Sequence, residues 1–269
     1  MPELPEVQTV VNSLSDAIGK KISQVTFNWK NVVYNLNSDL VNHKIKNNKI
    51  NDIYRIGKYI IIKLDDRYIA FHLRMTGYLY LSNNKPKNNK YLRCYFEFND
   101  NTFLFFEDMR KFGGFYLLRN IKQLEDKLGI DPFESKFCYK WLIENILKKN
   151  RMIKPLLLDQ SFICGIGNIY TDEILWKSKI HPTKITSDLK KNEVKALHGN
   201  ILRILNKSLK YHGTTIINFK FDNMKTGGYG SYLNVYGKKG EKCKRCSHLI
   251  SKLKIASRGT YVCLNCQPN

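Results

Sequence analysis

From Leu4 to Ile18 the apolar residues Val7, Val10, Val11, Leu14 and Ile18 recur at helical spacing, with Pro5 near the start and Gly19 at the end. The spacing predicts one amphipathic helix. From about residue 21 to 119 the pattern changes to short β runs, YIIIKL, YIAFHLRM, YLRCYFEF and TFLFFED, with DDR and NDN as turn signals. Antiparallel sheets in a two-layer sandwich follow from these runs. The polar stretch NNKPKNNK (83–90) reads as an exposed loop. After LGIDPFES (128–135) the pattern becomes helical around 139–150, 152–160, 168–179 and 188–211. No internal repeat is visible. The class is α+β, with an N-terminal helix and β-sandwich in 1–130, a helical region in 131–236 and a closing hairpin in 237–269.

The chain has 269 residues, enough for a sizeable core. Its 45 Lys and Arg against 23 Asp and Glu give a formal charge of +22, which makes a polyanion the favoured partner. Nucleic acid leads that class. An anionic membrane is the rival, but no apolar run approaches the ~20 residues of a spanning helix and no signal peptide is seen. A soluble cytoplasmic protein is expected. Asn, Lys and Ile are abundant throughout, as a biased genome composition would also make them, so the charge alone does not settle the partner.

Seven cysteines fall into two groups. Cys94, Cys138 and Cys164 are scattered among apolar neighbours and read as reduced core thiols. Cys243, Cys246, Cys263 and Cys266 form C-x2-C-x16-C-x2-C, the spacing by which two knuckles close a tetrahedral thiolate site around one structural Zn²⁺. Between the knuckles, HLISKLKIA reads as a strand, SRG as a turn and TYVC as the return strand. About 30 residues cannot fold on a core of their own, so the metal staples this hairpin and sets Arg258 at its tip.

Two further stretches each allow two readings. In CGIGNIYTDEI (164–174), Gly165 and Gly167 permit a tight turn, Asn168 serves as N-cap, and Asp172 and Glu173 fall in the first helical turn. That helix start offers free N–H groups to a phosphate; it is equally an ordinary glycine turn before a capped helix. In MPELPEV, acids at a helix start complement the macrodipole and proline is favoured there locally. Removal of Met1 would instead expose the secondary amine of Pro2 as a reagent.

Several stretches in order, PELPEV, GKY (57–59), HLRMTG (72–77), DMRKFGG (108–114), IKPLLLDQ (153–160), GIGNIYTDEIL (165–175) and the four-cysteine finger with SRGTYVC and Gln267, resemble bacterial formamidopyrimidine-DNA glycosylases. The resemblance spans essentially the whole chain. It implies an N-terminal β-sandwich, a helix–two-turns–helix domain with a lesion-capping loop, and a zinc finger, with double-stranded DNA carrying oxidised purines held between domains by a monomer. It implies Pro2 as the nucleophile at C1′, Glu3 as general acid at the sugar ring oxygen, and Glu6 in support of the amine. Met75, Arg110 and Phe112 match the side chains that fill the space of a flipped base. Lys58, His72, Asn168 and Arg258 match the phosphate-contacting set, Lys58 also standing with the catalytic residues, and Lys154 matches a lysine near the damaged base.

Departures concentrate in TTIINFKFDNMKTGGYGSYLNVYG (214–237), the lesion-capping loop of the family. Asn218 stands where the family has Asp, and Gly230 and Ser231 stand where larger side chains are common. The Gly227, Gly228 and Gly230 cluster predicts a mobile lid that bears on base selection more than on chemistry. Two alternatives remain. The endonuclease VIII branch acts on oxidised pyrimidines and usually starts PEGPE; Leu4 and Met75 argue against it. A noncatalytic DNA-binding zinc protein would have no need of Pro2, Glu3, Glu6 and Lys58 together.

Overall fold

The computed structural model describes residues 1–85, 89–215, 219–222 and 224–269. They fall into two compact units, Met1–Asp126 with Tyr211–Gly228, and Lys127–Lys210 with Tyr229–Asn269.

The first unit opens with α1 (Leu4–Ser13), which buries Val7, Val10 and Val11. The helix stops five residues short of the Ile18 that the spacing predicts. Leu14 N–H bonds Val11 C=O, a tightening that passes into a 3-10 turn at Ser15–Ala17. There follow β1 (Ile22–Phe27), α2 (Ser38–Ile45), β2 (Asp52–Ile56), β3 (Tyr59–Lys63), β4 (Tyr68–His72), β5 (Gly77–Ser82), β6 (Leu92–Phe98), β7 (Phe103–Asp108), β8 (Gly114–Leu118) and the short α3 (Lys122–Glu125). The helix α2 lies inside the predicted β region. Only Val41 and Ile45 give it an apolar repeat, and the Asn37 side chain caps it by accepting the Asp39 N–H.

Two four-stranded antiparallel sheets form, in the orders β1-β6-β7-β5 and β2-β3-β4-β8. Alternation puts Ile60, Ile62, Ile69, Phe71, Phe115 and Leu117 of one sheet in the same core as Cys94, Phe96, Phe98, Leu104 and Phe106 of the other. Phe71 is the junction. Its ring lies 4.8 Å from Phe115 beside it, and 6.0 and 5.4 Å from Phe96 and Phe106 of the other sheet. Val7, Val10 and Val11 of α1 belong to the same cluster.

The second unit comprises α4 (Tyr139–Ile146), α5 (Ile153–Leu158), α6 (Asn168–Ser178), α7 (Lys191–Lys210) and the hairpin β9 (Ser251–Ile255) with β10 (Arg258–Val262). The helix α6 is its axis, with eight of eleven residues buried, Asp172 and Glu173 among them. Cys94 and Cys164 are buried, but Cys138 is exposed, a correction to the core reading. It is the N-cap of α4, its sulfur accepting the Trp141 N–H. Among the described residues no helix is long and apolar enough to cross a membrane.

Because Phe71 touches rings from both sheets, Phe71→Ala should lower stability by about 3–5 kcal/mol, read as an earlier thermal unfolding transition of the sandwich. A shift smaller than that of an exposed aromatic control such as Phe112→Ala would contradict the packing.

Candidate active site

Two acids at the N-terminus are buried. Glu3 and Glu6 are 3% and 1% exposed. A buried carboxylate needs hydrogen-bond donors. Glu6 Oε2 accepts the Glu3 N–H at 2.8 Å, closing a capping box at the start of α1. Its Oε1 accepts the Thr214 N–H at 2.6 Å. The chain can approach this closely because Gly213, at φ +81°, has no Cβ, which would sit 2.6 Å from Glu6 Oε1. Pro2 is buried beside these acids, and its nitrogen is acylated by Met1. Burial lowers the pKa of the terminal amine below its ordinary value, Lys58 and Arg110 push it the same way, and Glu3 and Glu6 oppose them.

Sheet register gathers the next residues. The two-residue turn between β2 and β3 has Gly57 at φ +56°, as its first central position requires, and carries Lys58, which is 5% exposed. Tyr59 pairs with His72 across β3 and β4, and the two rings meet edge to face at 4.8 Å. His72 Nδ1 accepts the Arg74 N–H, so the neutral ring carries its proton on Nε2 as a donor. Burial, with Arg74 and Lys58 nearby, lowers its pKa to about 3.

Met75 and Phe112 are 45% and 53% exposed, unusual for such side chains. Arg110 lies over the Phe112 ring at 4.7 Å. Beneath them Asp108, which is fully buried, accepts the N–H groups of Arg110 at 3.2 Å, Phe112 at 2.8 Å and Gly113 at 2.7 Å, and the hydroxyl of Thr76. Neither Asp108 nor Thr76 stands out from sequence alone, although an Asp two residues before an exposed Arg in a turn carries the signal of an acceptor for turn amides.

In the second unit Asn168 and Arg258 come to one place. Asn168 is the first residue of α6, not its N-cap, which is Gly167; the first turn therefore holds no acid, and Asp172 and Glu173 point inward from the second. The Asn168 amide donates to Gly259 C=O at 2.9 Å, while its buried Oδ1 has no partner. Arg258 begins β10 and is exposed. Lys154 is fully buried, its Nζ 2.6 Å from Asp172 and 3.4 Å from Gly259 C=O. Asp172 also accepts the Tyr261 N–H at 2.8 Å, so Lys154 and Asp172 fasten the finger to α6. Glu173 accepts the N–H groups of Asn234, Val235 and Tyr236.

The four cysteine sulfurs lie within 4.8 Å of one another, Cys243 to Cys266 at 3.9 Å and Cys246 to Cys263 at 3.4 Å. Zn–S bonds of ~2.3 Å in a tetrahedron set sulfurs about 3.8 Å apart, so the residues fit one structural Zn²⁺. Surrounding groups orient them: Trp176 Nε1–H and Arg245 N–H donate to Cys243, and Gln267 joins Cys263 N–H to Ile180 C=O. Hydrogen bonds from the Asn265 side chain and the His248 backbone hold the Cys246 thiol down to about 5.

Asn218 lies outside the described residues. Of the glycines flanking it, Gly227 N–H donates to the Thr215 hydroxyl at 2.8 Å and Gly228 N–H to Tyr211 C=O at 2.8 Å.

Three family models match the chain: the formamidopyrimidine-DNA glycosylase N-terminal domain over residues 1–115, the H2TH domain of the same glycosylases over 128–220, and a zinc finger found in FPG and IleRS over 240–269. Formamidopyrimidine-DNA glycosylases of Mycoplasma genitalium and Lactobacillus acidophilus are 42% and 38% identical, covering 99% of this chain and 96% and 99% of their own. A Lactococcus lactis Fpg variant solved with DNA containing Fapy-dG matches over 100% of both chains at 36% identity, with a TM-score of 0.93. The same enzyme with DNA containing an abasic site covers 99% of this chain, with a TM-score of 0.92.

Two outcomes follow. With His72 lowered to about 3 in the fold against ~6.5 unfolded, the unfolded chain binds the extra proton between those values, so His72 adds stability as pH rises from about 3 to 6.5 and nothing further above. NMR titration should find the His72 ring neutral at pH 5, and His72→Asn should flatten the stability profile in that window; a ring titrating near 6.5 would refute this. Mercurial titration of the finger thiols should release one zinc per chain, and chelation should abolish protection of β9 and β10 in hydrogen exchange while sparing β3 and β4.

Proposed function

Because the chain belongs to the formamidopyrimidine-DNA glycosylase family, we propose that it is a bifunctional DNA glycosylase and AP lyase of base-excision repair that acts on oxidised purines, 8-oxoguanine and formamidopyrimidines, in duplex DNA. The observation that carries this reading is buried Pro2 beside two buried acids, Glu3 and Glu6, with Glu6 bonded to the Glu3 N–H and to the Thr214 N–H. A nucleophilic amine must be unprotonated, and an α-amine, with an ordinary pKa of ~7.7–8.0, meets that need without a deeply buried lysine.

After removal of Met1, the Pro2 nitrogen becomes the terminal amine. It attacks C1′ as the bond from C1′ to the damaged base breaks, and the base leaves with a proton. Glu3 protonates the sugar ring oxygen, the ring opens, and an iminium joins Pro2 to C1′. The iminium acidifies the C2′ proton; its loss breaks the C3′–O bond, and a second elimination breaks the C5′–O bond. Water then releases Pro2. Glu6 is a positioning residue, holding Glu3 through its backbone N–H and the 213–214 segment through Thr214. The zinc is structural and takes no part in these steps.

The DNA contacts divide by unit. Phe112 enters the stack, Met75 fills the vacated space and Arg110 bonds the orphaned base. Lys58 and the Nε2–H of His72 serve phosphates from the first unit, and Asn168 and Arg258 serve them from the second. Lys154, sealed with Asp172, acts on DNA only through the place it gives Gly259 and its neighbour Arg258. By function the chain divides into a catalytic domain (1–130), a helix–two-turns–helix domain with its lesion-capping loop (131–236) and the finger (237–269), acting as a monomer in the cytoplasm.

Borohydride trapping on duplex DNA with one 8-oxoguanine opposite cytosine tests the reading. A covalent adduct should form with the mature protein and fall at least a hundredfold in Pro2→Gly, a loss on the order of that of a nucleophile. Preference for thymine glycol would move the chain to the endonuclease VIII branch, and binding with no adduct would leave a noncatalytic protein.

A further inference from the structure

Two connections cross between the sheets at the same end of the sandwich. One runs from β4 to β5 and carries Met75; the other runs from β7 to β8 and carries Arg110 and Phe112. Their flanking strands pair, His72 with Gly114 and Gly77 with Asp108, so the connections lie side by side. Exposed turns that close have no core of their own to fix their shape. Here a buried carboxylate does so, beside the Tyr34 hydroxyl that donates to Phe112 C=O at 2.8 Å. Asp108 Oδ2 accepts the Phe112 and Gly113 N–H groups at 2.8 and 2.7 Å. Its Oδ1 accepts the Arg110 N–H at 3.2 Å and the Thr76 hydroxyl, and Thr76 Oγ1 in turn accepts the same Arg110 N–H at 3.2 Å. Arg93 braces the anchor, its Nε donating to Asp108 C=O at 2.7 Å.

We propose that Asp108 and Thr76 are a positioning pair that locks the connection bearing Met75 to the connection bearing Arg110 and Phe112, and that this lock sets how strictly the base opposite the lesion is read. The inference rests on the catalytic reading above. The two carboxylate oxygens act on different parts of the turn. Oδ2 shapes the segment that carries Phe112, and Oδ1 with Thr76 aims Arg110. An Arg that reads a base edge discriminates only if its backbone is held, because a mobile guanidinium reaches alternative acceptors at little cost. Thr76 is the more telling member. Its hydroxyl touches the lock alone among the described hydrogen bonds, and its removal leaves Asp108 with its three backbone donors.

The test measures single-turnover excision of 8-oxoguanine opposite cytosine and opposite adenine, alongside strand cleavage at a preformed abasic site, for the zinc-loaded full chain. Thr76→Val and Asp108→Asn should each reduce the cytosine-over-adenine ratio by about tenfold, the scale of one base-reading contact. Cleavage at the abasic site should stay within about twofold, because Pro2 and Glu3 are untouched. Thr76→Ser, which keeps the hydroxyl, should restore the ratio. Should Asp108→Asn fail to fold, the Thr76 pair decides alone. An unchanged ratio in Thr76→Val, or equal losses on all three substrates, would overturn the proposal. Absence of a borohydride-trapped adduct in the unsubstituted protein would overturn the catalytic reading itself, and this one with it.

Discussion

The Glu6 carboxylate joins two backbone N–H groups that stand far apart in the chain, Glu3 at the start of α1 and Thr214 beyond α7, the latter 208 residues away. A helix start is a weak anchor by itself, because its first four N–H groups have no partners within the helix. Glu6 supplies one of them from inside and uses its second oxygen to bring in a remote segment. The cost of burying a charge is offset by donors on both oxygens. The outcome is a helix start tied by hydrogen bonds both to its own first turn and to the 213–214 segment.

The same arrangement recurs where a turn must keep its shape without a core beneath it. Asp108 gathers three amides of the β7 to β8 connection, and Glu173 gathers three amides of the 234–236 segment from within α6. Each is 0% exposed. In each case an acceptor with two oxygens matches neighbouring N–H groups of one short segment. Lys154 and Asp172 extend the arrangement to an ion pair: Asp172 still spends one oxygen on the Tyr261 N–H, and the lysine supplies the second donor. Isolated from water, such a pair specifies geometry more than it adds stability.

The pattern of the sequence was enough for the sandwich, the four main helices and the thiolate site, because each rests on a periodicity or a spacing that a side chain cannot escape. YIIIKL and TFLFFED are strands wherever they pair, and two C-x2-C knuckles have few other uses. What was not legible depended on partners distant in sequence. The short helix α2 shows only Val41 and Ile45 as a repeat and is made by its Asn37 cap. Cys138 looks like a core thiol beside Phe137 and Tyr139, yet it caps α4 from outside. Asn168 has the composition of an N-cap, but the flexible Gly167 takes that position and frees the amide to reach Gly259. Asp108 was visible inside DMRKFGG as a letter, and only the pairing of β5 with β7 reveals that its neighbours include Thr76.

These buried acids also bear on the charge of the chain. Among the described residues the buried side chains of acidic type are Glu3, Glu6, Asp108, Asp131, Asp172 and Glu173, and those of basic type Lys58, Arg93 and Lys154. By formal count the buried set is net acidic, so the remaining residues have a larger surplus of basic over acidic side chains than the chain as a whole. Several of these acids are turned inward onto amides, Asp108 on the connection that carries Arg110 and Phe112 and Glu173 on the 234–236 segment. Stability and attraction for a polyanion therefore do not compete for the same residues. Carboxylates hold the frame while lysines and arginines, left largely unneutralised outside, supply the long-range field that draws in phosphate and weakens as salt rises. A chain rich in lysine through biased composition alone would have no reason to place its acids in this way, and it is their placement, more than the surplus itself, that ties the charge to function.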